Sequence, residues 1–387
     1  MGYAAARGGL EAILAAEELV RAKRDGGSSP PLGVDQLTER LSFALDRVMG
    51  EAGLWAPALA AVALRQAQGD IIEAAHLLRA YRAARPRLAK ALTVHADELE
   101  ILRRIVPAYR VPPGPQLLGR TLDYVGRLLE VETPPQPAPA PESESEPRNE
   151  PQNDAQPALA QTPAHANGDT RRPSRLLYLL RSQGMIRDRR RADDPEPYDI
   201  TRDPVRPGVP RSARLSVMAR AETGALVNLW YRNILGPDGY IHEVTLGEVR
   251  HGRLPVRVTH PLTDQPVTIG EVRVTEVEAI EDLDGADEER GVFDVGYGLC
   301  LGHNEKKAIA MANLDIAVER DHGQSPLEQS VLMTSDGLDA SGFLEHLKLP
   351  HYVTFRSMVD RKAAIRAAAQ QRANGAAQTL DAVSVTP

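Results

Sequence analysis

Between about Glu132 and Pro173 the chain contains the run Pro-Ala-Pro-Ala-Pro-Glu-Ser-Glu-Ser-Glu-Pro and then little besides Pro, Ala, Glu, Gln, Asn and Ser. Such a stretch cannot bury enough apolar surface to offset its chain entropy, so one continuous core cannot run through the whole molecule. The 387 residues are long enough for two or three packed parts. The reading is a helical domain over 1–131, a disordered linker over 132–173, an α+β domain over 174–375 and a disordered tail over 376–387.

The first part reads as helix throughout. From Leu10 to Leu129 apolar residues recur at helical spacing among Ala, Leu, Arg and Glu, with almost no β-branched runs. Asp35 is placed to N-cap a helix carrying Leu37, Leu41, Ala44 and Val48 on one face, with Gly53 as its stop. Gly69 separates two further helices, the second opened by Asp70 and Glu73 ahead of Ala74, Leu77, Leu78 and Tyr81.

Beyond the linker the pattern changes. A basic helix is expected over Arg175–Gly184, then β-type segments at Ala225–Tyr231, Leu254–His260, Pro266–Ile269 and Val272–Val277, whose proximity favours an antiparallel sheet. The apolar, Gly-rich stretch Phe293–Leu301 leads into a helix from about Asn304 to Arg320. A helix from near Ser341 should end at Leu349, since Pro350 disfavours helix before it, and another begins near Thr354 and frays after Gly375. The fold class is therefore α+β: an N-terminal all-helical module, a linker, and a mixed domain with a mainly antiparallel sheet and flanking helices.

Charge and cysteine usage exclude several functions. Lys and Arg total 46 against 53 Asp and Glu, so the net field disfavours non-specific binding to nucleic acid or an anionic membrane. A single cysteine, Cys300, rules out an intrachain disulfide and an iron-sulfur cluster held by this chain alone. Residues Met1–Gly9 lack the apolar core of a signal peptide and no run approaches the roughly 20 apolar residues of a membrane span, so a cytoplasmic setting is expected.

Four places could carry chemistry. Gly296 to Lys307 puts glycines, Tyr297, Lys306 and Lys307 around a helix start, which suits either an anion on backbone N–H groups or a tight turn capped by Asn304. Gly239 to Arg250 brings His242, Glu243, Glu248 and Arg250 close in sequence, the side chains of acid-base work and phosphate recognition, or of a polar strand and turn. Arg79 and Arg82 flank Tyr81 and could meet phosphate, although helical arginines are usually solvated. Finally, His346 and His351 lie on either side of Pro350. On one helix they would point roughly 140° apart, but a bend at Leu349 lets them converge on an ion or an oxygen. Two ligands do not complete a zinc shell, which holds four, or three and a water.

These stretches resemble the PhnI subunit family of the carbon-phosphorus lyase core complex. The resemblance rests on Gly8-Gly9 with Glu11-Ala12-Ile13, Arg47-Val48-Met49, Gly69-Asp70 through Arg82, Gln116-Leu117-Leu118-Gly119, Asp123-Tyr124, Arg127-Leu128-Leu129, Asp199-Ile200-Thr201-Arg202, Gly296–Leu299 and Asn304–Ala308, with His346–Tyr352 the most specific. It implies that the chain, with partner subunits, transfers the ribose 5-triphosphate moiety of ATP from adenine to methylphosphonate, and alone hydrolyses the glycosidic bond of purine nucleoside triphosphates. Implied too are Glu248 as electrostatic support with Glu243 and His242 as rivals, Arg250, Tyr297, Lys306 and Lys307 on the substrate, magnesium with the nucleotide, and zinc at His346 and His351, completed by a partner or ligand. The expected partners are the other core subunits, including the radical iron-sulfur one, with two copies of this chain per complex. The chain departs from the family pattern at Pro115, at Val125-Gly126, at Glu243 and at Thr334–Gly337, which implies a divergent member with altered substrate or reduced activity, or a scaffold that supplies an interface metal site.

Overall fold

The computed structural model describes residues 9–122, 173–187, 195–234, 245–281, 291–320, 325–348 and 352–383. They form a mixed α+β arrangement whose sheet has four strands in the order β1-β2-β3-β4, each antiparallel to its neighbour. The residues divide into two compact units, 32–338 and a smaller one built from 1–31 with 339–387.

In the larger unit, α2 (Val34–Arg40), α3 (Ser42–Ala52), α4 (Pro57–Gln66) and α5 (Ile71–Ala83) enclose a core of Leu37, Leu45, Val48, Met49, Leu64, Ala74 and Leu78. Their boundaries follow local chemistry. Gly53 ends α3 at φ 66°, where a left-handed residue closes the last turn. Asp70 caps α5 by accepting from the amides of Ile72 and Glu73. Asp35 does not cap: it lies inside α2, Gly33 precedes that helix, and the chain breaks at Leu41 before α3 starts.

Two expectations fail here. The stretch expected to be helical throughout contains strand β1 (Glu100–Ile105), which pairs with β2 (Thr245–Thr259). Its Leu and Arg content favours helix, and only the long-range ladder makes it a strand. Conversely, Ala225–Tyr231, expected as a strand, lies in helix α8 (Thr223–Ile234). The β-forming Val227, Trp230 and Tyr231 suggested alternation, yet Leu226, Trp230 and Ile234 share a helical face, with Leu226 and Ile234 buried. The carboxylate of Glu222 accepts from the amides of Gly224 and Ala225 and fixes where that helix begins.

The remaining β segments merge into one hairpin, β2 with β3 (Pro266–Glu281), flanked by β4 (Asp294–Leu301). The two faces of the sheet differ. One carries Val249, Val277, Ala279 and Cys300 against α7 (Arg211–Arg220), α8 and α9 (Glu305–Arg320). A β-carbon at Gly296 or Gly298 would collide with the carbonyl oxygens of Ala312 and Ala308, so these glycines set how closely α9 approaches β4. The other face meets α6 (Leu176–Ser182) through Leu176, Leu177, Leu180, Ile186 and Ile280. Helix α10 (Pro326–Met333), capped by Ser325, completes the unit up to the start of α11 (Gly337–Leu347).

In the smaller unit, α1 (Gly9–Asp25) has no buried residue, and α12 (Tyr352–Val383) continues past Gly375, where fraying was expected. The expected linker lies outside the described residues except for Pro173. No described helix is long and apolar enough to cross a membrane.

Candidate functional site

Glu248 and Arg250 share the α6-facing side of β2 with Glu276 and Glu278 of β3, Arg104 of β1 and Tyr297 of β4, as the register requires. Glu248 is 1% exposed and accepts from Arg104 at 2.7 Å and from the amide of Leu176 at 2.9 Å. Arg250 is likewise buried and paired with Glu276, to which Tyr297 also donates at 2.9 Å. Arg175, just before α6, closes the set on Glu276 and Glu278. Burial, partly opposed by Arg175, pushes Glu278 up to about 7. Three arginines and three glutamates thus neutralise one another inside the protein, which is the geometry of an internal ion network.

The turn between β4 and α9 is different. Gly302 adopts φ 79° against the backbone of Asp46, and Asn304 accepts from the amide of Lys307 at 3.2 Å. Of the two readings of this stretch, the tight turn capped by Asn304 is the one observed. The same turn presents His303, which sequence reasoning passed over in favour of its glycines. Its amide donates to Asp46 at 2.9 Å, its ring stacks on His251 with centroids 4.3 Å apart, and its Nε2 stands 3.7 Å from Glu305. Glu305 in turn pairs with Arg103, and hydrogen bonds from His303 and Arg103 hold it at about 2 despite the opposing effect of burial. Desolvation, with the charges of His303 and Arg273 nearby, depresses His251 to about 3. A histidine backed by an ionised carboxylate and placed at a strand end is a competent proton donor and acceptor.

Next to this turn α9 and the helical module contribute cations. Lys307 is 1% exposed and its Nζ has no hydrogen-bond partner among the described residues; burial lowers its pKa, with Glu51, Asp336 and Arg79 as nearby charges. Lys306, by contrast, is exposed. Arg79 donates to Asp336 at 2.7 Å and to the carbonyls of Glu51 and Arg220. Glu51 is wholly buried, pairs with Arg47 and accepts from Thr223, whose hydroxyl also accepts from Asn304 Nδ2. This chain of contacts ties α3, α5, α8 and the α9 turn into one polar seam. No sequence signal announces it, because Asp46, Glu51, Arg220 and His303 are scattered along the chain and meet only on folding.

Of the two histidines expected at a metal, His346 is exposed in the last turn of α11 with its ring 6.4 Å from Phe343. His351 lies outside the described residues, as do His242 and Glu243. Among the described residues no three His, Cys, Asp or Glu side chains gather to hold a metal, so they do not by themselves supply a zinc shell.

Comparison with known proteins gives this arrangement a family. The chain is 41% identical over 93% of its length to a protein of Stutzerimonas stutzeri named as a C-P lyase subunit, HtxH, covering 95% of that protein. It is 35% identical to the proteins named alpha-D-ribose 1-methylphosphonate 5-triphosphate synthase subunit PhnI of Rhizobium meliloti and of Escherichia coli, over 92% of this chain in each case and 93% and 96% of theirs. The family model described as bacterial phosphonate metabolism protein (PhnI) matches residues 2–369, and the chain belongs to that family.

Proposed function

We propose that this chain works in the cytoplasm as a subunit of the carbon-phosphorus lyase system and, with partner subunits, transfers the ribose 5-triphosphate moiety of ATP from adenine to methylphosphonate. The observation that carries this reading is the likeness, over 92% of the chain, to two proteins named as subunits of alpha-D-ribose 1-methylphosphonate 5-triphosphate synthase. Alone, the same site would pass the ribosyl group to water, as a nucleosidase.

In this reaction the bond from ribose C1′ to adenine breaks with its electron pair leaving on the base, which takes a proton, and a phosphonate oxygen bonds to C1′. His303, oriented by Glu305, is the group suited to that proton. Buried Glu248 and Arg250 serve the fold that holds it. His242 and Glu243 are the rival proton carriers, to be separated by substitution. Lys307 and the arginines of the seam favour the triphosphate with its magnesium. His346 and His351 are read as half of a zinc site, whose other ligands come from a partner subunit or the substrate. Zinc there would supply a Lewis acid to an anionic oxygen.

The test is to incubate the assembled complex with ATP and methylphosphonate and follow adenine and the ribosylated phosphonate by chromatography. Release of both is expected, and no free adenine would overturn the reading. His303→Asn should lower kcat by about 10²- to 10⁴-fold with assembly intact. Metal analysis of the complex should show zinc that is lost with His346→Ala.

A further inference from the structure

We propose that α1 of one copy of this chain pairs in parallel with α12 of a second copy, through matching apolar seams that carry a glutamate on one helix and a lysine on the other. On a seven-residue frame starting at Leu10, Leu10 and Glu17 take the a positions of α1, Ile13 and Val20 the d positions, and Leu14 and Arg21 the flanking e positions. On the same frame starting at Phe355, α12 has Phe355 and Lys362 at a, Met358 and Ile365 at d, and Val359 and Arg366 at e. The two seams agree in kind at each of these places except Glu17 against Lys362. Within one copy neither seam is covered: Leu10, Ile13, Leu14 and Val20 are exposed, as are Phe355, Met358, Val359 and Ile365. Both helices belong to the smaller unit, from which no described residue joins a buried apolar cluster.

A charge at a single a position fixes which helix pairs with which. Pairing α1 with α1 would set Glu17 on Glu17, and α12 with α12 would set Lys362 on Lys362, whereas α1 with α12 sets an acid on a base. The direction follows from the same two residues. In a parallel pair a faces a, so Glu17 meets Lys362, and the other layers are Leu10 with Phe355, Ile13 with Met358 and Val20 with Ile365. An antiparallel pair sets a against d and leaves both charges on apolar side chains. In the single copy Glu17 pairs with Arg21 at 3.0 Å, an exposed contact that holds it only weakly, so it is able to turn to Lys362. Arg21, Arg361 and Arg366 form a basic rim, where solvent screens them. Each copy presents both helices, so the exchange is reciprocal and closes as a two-fold dimer. Each copy keeps its own cores within 32–338, so urea titrations dilute enough to separate the copies report on one copy alone. The pairing stands apart from the catalytic reading above.

Sedimentation of the full chain over a range of concentrations is the test. The wild type should dimerise, and Glu17→Lys or Lys362→Glu alone should weaken the dimer by about 10- to 100-fold, since like charges then meet in the seam. The double variant should recover wild-type association. Mixing the two single variants should recover it as well, because both helix pairs of a mixed dimer then join an acid to a base. Pairing of α1 with α12 inside one copy cannot respond to mixing. Both positions are exposed, so the melting of every variant should match the wild type at concentrations where all are monomeric, which separates lost pairing from lost folding. A wild type that stays monomeric, single variants that associate like the wild type, or a mixture that does not recover would each overturn the proposal. So would protection of the α1 and α12 amides from hydrogen exchange only after other subunits are added, which would make one of those subunits the occupant.

Discussion

Glu248 accepts from Arg104 and from the amide of Leu176 while buried, so removing its carboxylate leaves a guanidinium uncompensated inside the protein. Glu248→Ala should therefore lower the stability to urea by about 3–5 kcal/mol. A fold of unchanged stability with abolished turnover would instead place Glu248 at the substrate. His251 gives the pH dependence. Its folded pKa, about 3, lies below the unfolded value of 6.5, so between those values the unfolded chain binds the proton and the folded one does not. Its contribution to stability is present above pH 6.5 and is lost as the pH falls towards 3, at up to about 1.4 kcal/mol per unit. Urea midpoints measured across that range should fall less steeply in His251→Phe, which keeps a ring against His303. At this scale the sequence is legible where a residue acts on its neighbours, as Gly53, Asp70 and Asn304 do at helix ends. It is silent where charge is buried: Arg104 and Glu248 look like surface residues until a partner 144 positions away arrives.

At the scale of elements, the seating of α9 on β4 depends on two missing side chains. Gly298→Ala would drive a methyl group into the Ala308 carbonyl, and backbone cannot rotate aside as a flexible side chain can. The expected cost is about 1–3 kcal/mol or more, read as a lower melting temperature, with the β4–α9 turn and His303 displaced and turnover reduced in step. Periodicity located α5 and α9 because each has one consistent pattern, and it found the hairpin only in pieces, at Leu254–His260, Pro266–Ile269 and Val272–Val277. It misread α8 because Val227, Trp230 and Tyr231 favour strands while packing demanded a helix. It missed β1 because Leu102, Arg103 and Arg104 have helical propensity and only pairing with β2 overrides it.

At the scale of the whole molecule, the N-terminal helix contributes no core of its own. No residue of α1 is buried, and Leu10, Ile13, Leu14 and Leu19 are exposed. Deletion of residues 1–31 should leave stability to urea within about 0.5 kcal/mol of the full chain, the range for changes away from packed features. A large loss would show that α1 contributes to the core. The sequence indicated two parts and a break between them, and the strand from before the linker that joins the sheet was hidden, because strand pairing is a property of the assembled molecule. One consequence of that assembly concerns Cys300, the only cysteine in the chain. It lies 1% exposed beneath α9, with burial raising its thiol to about 11, so a thiol reagent can reach it only when helix and sheet part. The rate of its modification is a built-in clock for that opening, measurable without introducing a second cysteine.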